Sequence, residues 1–248
     1  MFAARESAAA CRHEAAALRA GSDIMPVHEI SALRDRAPVF RDRAHAGEVL
    51  ASMLEAYRGG SALVLAIPAG GVPVAAEIAR RLGLALDVAV VSKILLPWTT
   101  EAGFGAVAFD GSVWINEEDV LGYHLSRADV QRSTDSARAK VERRLQRLRG
   151  KRPLPAFAAR QLIVVDDGIA AGSTLRAAIA ALRRLGAANI VVAVPTGHLR
   201  SVQLIAGLAD AVYCANIRGA RRYAVADAYE QWHDLDEDEV ASILAALE

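Results

Sequence analysis

Short, uninterrupted apolar runs alternate with helix-patterned segments through most of the chain, and this alternation restricts the fold more than any other feature. Ala62–Ile67, Leu86–Val91, Gln161–Val165, Ile190–Val194 and Ala211–Cys214 are each too short for a core helix. Lacking a polar alternation, they read as strands covered on both faces. Between them lie helical periodicities over residues 44–57, 74–82, 173–185 and 198–207, several stopped by glycine (Gly59-Gly60, Gly83, Gly186). Five buried strands joined by helices predict an α/β fold: a five-stranded, mostly parallel sheet covered by helices on both faces, with right-handed crossovers. Aromatic residues make up only 5% of a chain that is 53% hydrophobic, so Ala, Val, Leu and Ile must fill this core.

Two segments do not fit the alternation. Phe104–Phe109 and Val113–Ile115 flank Asp110-Gly111, a two-residue turn signal, and predict a hairpin. Ser126-Arg127-Ala128-Asp129 has the form of a helix-capping start, and a helix from there to about Leu148 carries Val130, Ala137, Val141, Leu145 and Leu148 on one side. Ser92–Gly103, with Pro97, Trp98 and two threonines, predicts a loop. Residues 1–36 are Ala-rich without the pattern of a secretory signal, and are expected to form a weakly ordered extension, with Met25 as an alternative start. Residues 37–248 are then one domain, with hood elements around 113–152 and 216–248.

Lys plus Arg and Asp plus Glu balance at 29 each, which removes a global field for nucleic acid or anionic membranes. No apolar run approaches the ~20 residues that span a bilayer. Two cysteines, Cys11 and Cys214, make no disulfide framework and no metal-ligand spacing, so a cytoplasmic location is expected. The run Arg138, Lys140, Arg143, Arg144, Arg147, Arg149, Lys151, Arg152 is locally basic. Without interleaved aromatics it reads as a solvated helix face in preference to an RNA-binding one.

The chemistry concentrates in Val164-Val165-Asp166-Asp167-Gly168-Ile169-Ala170-Ala171-Gly172-Ser173-Thr174. Ligands of open parallel sheets bind beyond the C-terminal strand ends, where Asp166 and Asp167 are expected. The small residues after them let backbone N–H groups close on a phosphate at a helix N-terminus, with the Ser173 and Thr174 hydroxyls as further donors. An acidic pair before such a cradle suggests a ribose 5-phosphate read at both ends. Taken singly, each residue also suits ordinary turn and capping chemistry. Pro68-Ala69-Gly70-Gly71 is a second small-residue loop between a strand and a helix.

The long string resembles the signature of the type I phosphoribosyltransferases, in which an apolar strand, two acids and small residues lead into a phosphate loop. The resemblance runs from about Val39 to the C-terminus. It implies transfer of a phosphoribosyl group from 5-phosphoribosyl 1-diphosphate to a nitrogen acceptor, with Mg²⁺ bridging diphosphate and sugar and a homodimer as the expected assembly. Asp166 and Asp167 would hold the ribose hydroxyls and, indirectly, the metal. Gly168 and Ala170, Ala171, Gly172, Ser173 and Thr174 would take the 5-phosphate, and Ala69, Gly70 and Gly71 the diphosphate. The Ser92–Gly103 loop corresponds to a mobile lid, in which Lys93 is placed to neutralise diphosphate and Glu101 to meet the ligand or its metal. Lys93 also reads as a solvated strand end. Tyr223, Asp227, Tyr229 and Trp232 are candidates for holding the acceptor ring, against the plainer reading of packing aromatics. Ala171 stands where relatives commonly have Thr, and Ala69 where many have Arg. Both departures favour an alternative, a module that senses the sugar diphosphate without turning it over.

Overall fold

The computed structural model describes residues 26–100 and 102–247. The expectations for Met25, for the preceding residues and for Glu101 therefore lie outside the described residues.

Among the described residues, nine strands form two sheets. β1 (Val27–His28), β2 (Leu63–Ala66), β3 (Ala85–Val88), β7 (Gln161–Val165), β8 (Asn189–His198) and β9 (Ala211–Arg218) make a six-stranded sheet in the order β1-β9-β8-β7-β2-β3, parallel at every pairing. β4 (Val91–Leu95), β5 (Gly103–Ala108) and β6 (Val113–Ile115) form an antiparallel sheet in that order. The helices are α1 (Arg43–Met53), α2 (Gly71–Leu82), α3 (Glu117–Gly122), α4 (Arg127–Arg149), α5 (Ser173–Arg184), α6 (Leu199–Ala206) and α7 (Glu237–Ala245).

β2, β7 and most of β8 are buried along their length, as their unbroken apolar runs require. The crossovers β7-α5-β8 and β8-α6-β9 step toward one edge, while β2-α2-β3 steps toward the other. With right-handed crossovers, α2 therefore covers the face opposite α5 and α6. α1 packs on α2, so both faces are shielded. The step direction reverses between β7 and β2, and at such a switch point the loops leaving the strands part to open a crevice.

Three expectations need correction. The main sheet has six strands because Val27–His28 pairs with Val212–Tyr213 at its edge. Two residues carry no periodicity, and this strand falls inside the segment assigned to the weakly ordered extension. The run Leu86–Val91 is divided: β3 ends at Val88, and the chain passes through buried Ala89 and Val90 into β4 of the other sheet. Continuous burial hides such a turn from any hydrophobicity pattern. Ser92–Leu95, read as loop, belongs to β4 and pairs with β5, so the connecting loop is confined to residues 96–102.

The hairpin at Asp110-Gly111 and the capped long helix form as the sequence dictates. Gly111 has φ 80°, and Ser126 and Asp129 cap α4 reciprocally. α4 and α5 both pack against the small sheet. Among the described residues, no helix is long and apolar enough to cross a membrane.

Candidate phosphoribosyl site

β2 and β7 are neighbours in register, Ala66 beside Val165, so the loops that leave them run side by side. Close packing requires glycine here. A Cβ on Gly71 would lie 2.6 Å from the Val165 carbonyl oxygen and 2.9 Å from the Asp166 Cα, and one on Gly70 would lie 1.8 Å from Asp167 Oδ2. Gly71→Ala is accordingly expected to push the start of α2 off β7 and to cost about 1–3 kcal/mol, the scale of an overpacked core. Chemical denaturation of the variant measures this directly.

Asp166 and Asp167 stand at the tip of β7. Asp166 is 9% exposed, and its Oδ1 accepts the Asp167 N–H at 2.9 Å. Burial, then the neighbouring Asp167, push the Asp166 carboxyl well above the usual carboxylate range, against an opposing pull from the Lys93 charge. Asp167 is raised by burial and held down by Arg43, whose Nε and Nη2 both reach its Oδ2 at 3.0 Å.

Arg43 carries no motif that singles it out in the sequence. It is 7% exposed at the first position of α1, donates through Nη1 to the His233 carbonyl at 2.9 Å, and lies 3.9 Å from the centre of the Trp232 ring. A cation at a helix N-terminus opposes the helix dipole, and that mismatch is the one available signal.

The segment after the acids is pinned by Ile169. Its N–H donates to the Thr196 carbonyl at 2.9 Å and its carbonyl accepts from His198 at 3.1 Å. Gly168 fits against Val225, and Gly172 takes φ 82°, a left-handed conformation that lets the chain turn into α5. Among the described residues, the backbone N–H groups from Ala170 to Leu175 find no protein acceptor, and α5 has no side-chain cap. The result is a row of amide donors at the positive end of a helix, next to the carboxyl pair. Ser173 and Thr174 are half-buried at its end. The N–H groups of Ala69 and Gly70 likewise have no protein acceptor among the described residues, and the Pro68–Ala69 peptide is cis.

Lys93 is exposed on β4, with its charge felt at Asp166. The aromatic candidates divide. Tyr229 is 5% exposed, its hydroxyl donates to the Asp167 carbonyl at 2.6 Å, and its ring leans on Trp232. Both rings buttress the Arg43–Asp167 pair. Tyr223 stands apart from them, edge-on to His198, with its hydroxyl 3.4 Å from Thr196 Oγ1 and the Arg218 guanidinium over its ring. Asp227 lies 3.6 Å from Arg218.

No family model matches the chain. Two Mycobacterium tuberculosis proteins, from strains CDC 1551 and H37Rv and each named "Putative phosphoribosyl transferase", are 38% identical to it over 206 residues. The aligned region is 83% of this chain and 46% of each of theirs, so the chain spans about half the length of the curated relatives it matches. The crystal structure of TT1426 from Thermus thermophilus is 32% identical, with a TM-score of 0.67, over 84% of this chain and 98% of that one. The chain belongs to the phosphoribosyl transferase family. The motif string at the tip of β7 falls where the resemblance predicted it, and the six-stranded parallel sheet is the frame that carries it.

Proposed function

We propose that the protein binds 5-phosphoribosyl 1-diphosphate at the crevice between β7 and β2 and transfers its phosphoribosyl group to a nitrogen acceptor. The observation that supports this reading is the carboxyl pair set between two stretches of unpaired backbone donors. The Ala170–Thr174 amides take the 5-phosphate, Asp166 and Asp167 take the ribose hydroxyls, and the Pro68–Gly71 loop with Lys93 takes the diphosphate.

In the reaction the nitrogen lone pair forms a bond to C1 of the sugar. The bond from C1 to the diphosphate oxygen breaks, and its electron pair leaves with diphosphate. The chain's share is to align the sugar and to stabilise charge on the leaving group. The donor set fits a metal carried in on the substrate. Of the two carboxylates one is already engaged by Arg43, and among the described residues no cluster of three or more His, Cys, Asp or Glu forms a resident metal site. Magnesium held on the diphosphate would reach the sugar edge beside Asp166 and would neutralise the leaving group. Tyr223 and Asp227, with the hood around residues 216–248, lie on the acceptor side.

Calorimetric titration with the magnesium complex of the sugar diphosphate, followed by a diphosphate-release assay over a panel of nucleobases, tests this. Saturable binding with base-dependent release is expected. Saturable binding without release for any base would favour the sensing module that Ala69 and Ala171 suggest, and absence of binding would refute both.

A further inference from the structure

The basic run on α4 is only in part a solvated face. Arg132, Arg138, Arg147 and Arg149 are paired with Asp129, Asp135, Asp238 and Asp87 respectively. Lys140 and Arg144 are four residues apart and so on one side of the helix. Arg144 is 16% exposed at its side chain, and its Nη1 lies 3.5 Å from the carbonyl oxygen of Pro68, the first residue of the small loop after β2. Lys140 is partly buried, and the charges of Arg144, Arg143 and Lys93 all bear on it, with only Glu237 opposing. Burial and these neighbours lower its pKa. Arg144 thus reaches a loop that offers free amides at Ala69 and Gly70 and no cationic side chain of its own, with Lys140 one turn away on the same helix side and the Lys93 charge, from β4, bearing on Lys140. Glu237 takes Arg144 Nε at 3.1 Å and leaves the cluster in net positive excess. Like charges gathered and partly desolvated without equal counter-charge are costly, and an anionic ligand relieves that cost.

We propose that Lys140 and Arg144 of the inserted helix α4, together with Lys93, bind the diphosphate group, so that α4 completes a subsite which the Pro68–Gly71 loop leaves short of charge. This deepens the sugar-diphosphate reading and rests on it. It assigns the leaving group to one side of the crevice and the 5-phosphate to the other, and the two sides can be titrated separately.

The test is calorimetric titration of the full chain with two probes, inorganic diphosphate with Mg²⁺ and ribose 5-phosphate. In Lys140→Ala and in Arg144→Ala, diphosphate affinity is expected to fall about tenfold, the scale of one charge-assisted contact, and further in the double variant. Ribose 5-phosphate affinity should stay at the wild-type value in all three. Arg147→Ala removes a more exposed cation one turn further along the helix, already paired with Asp238, and should bind both probes as wild type does. Glu237→Gln breaks the Arg144 pair but keeps the cation, and should bind diphosphate at least as tightly as wild type. A loss equal to that of Arg144→Ala would mean that Arg144 acts through packing, and would overturn the assignment. Wild-type diphosphate affinity in the double variant would overturn it while leaving the phosphoribosyl reading intact. Failure of the wild-type protein to bind ribose 5-phosphate would remove that reading and this inference together.

Discussion

Replacing Asp166 by asparagine is expected to weaken binding of the magnesium sugar diphosphate roughly 100-fold, because hydrogen bonds to a charged acceptor contribute about 1.5–3 kcal/mol each. The fold should tolerate the change. The side-chain carbonyl of the amide would still accept the Asp167 N–H, and no cationic side chain at contact distance would lose its partner. The wild-type carboxyl is raised by burial, so its ionisation is opposed by the fold, and a neutral amide removes that cost. Thermal unfolding at neutral pH should therefore occur at or above the wild-type temperature while ligand affinity collapses. Tm together with calorimetry reports both, and a variant that binds as wild type does would show that Asp166 is not a ligand. Stability given up for a function-bearing group is the trade expected at such sites.

Arg43→Met should have the largest effect on stability, about 3–5 kcal/mol, since it strands the Asp167 carboxylate in a buried setting and removes the cation from the Trp232 face. Urea denaturation measures the loss. Burial already raises the Asp167 carboxyl against the pull of the Arg43 cation, so removing the arginine lets it rise further. A carboxyl raised by folding contributes stability below its unfolded pKa of about 4 and loses it as pH rises through the folded value. The deficit of the variant should therefore shrink as pH falls from neutral toward the unfolded value. Adding Asp167→Asn to Arg43→Met removes the stranded charge and should recover part of the loss, giving a double-variant cost well below the sum of the singles. Additive costs would mean that the pair is not coupled.

The parallel sheet and the chemistry at the tip of β7 were legible because each depends on local signals. Unbroken apolar runs mark strands covered on both sides, and two acids followed by small residues mark a turn into a helix. What stayed hidden depends on contacts distant in sequence. Val27–His28 becomes a strand only because β9 offers it an edge. The break between Val88 and Val91 separates two sheets within a uniformly buried run. Arg43 reaches Asp167 across 124 positions, and Arg144 reaches Pro68 across 76. A basic stretch reads alike whether its charges face solvent or a crevice. The aromatics near the C-terminus are divided by position: Tyr229 and Trp232 support Arg43, while Tyr223 stands near His198 and Arg218.

The most direct test is a crystal structure of the protein with 5-phosphoribosyl 1-diphosphate and Mg²⁺. The 5-phosphate is expected on the backbone N–H groups of Ala170–Thr174, the ribose hydroxyls on Asp166 and Asp167, and the diphosphate against Pro68–Gly71. A sugar phosphate seated away from the β7 tip, with those amides and acids making no contact to it, would contradict the account.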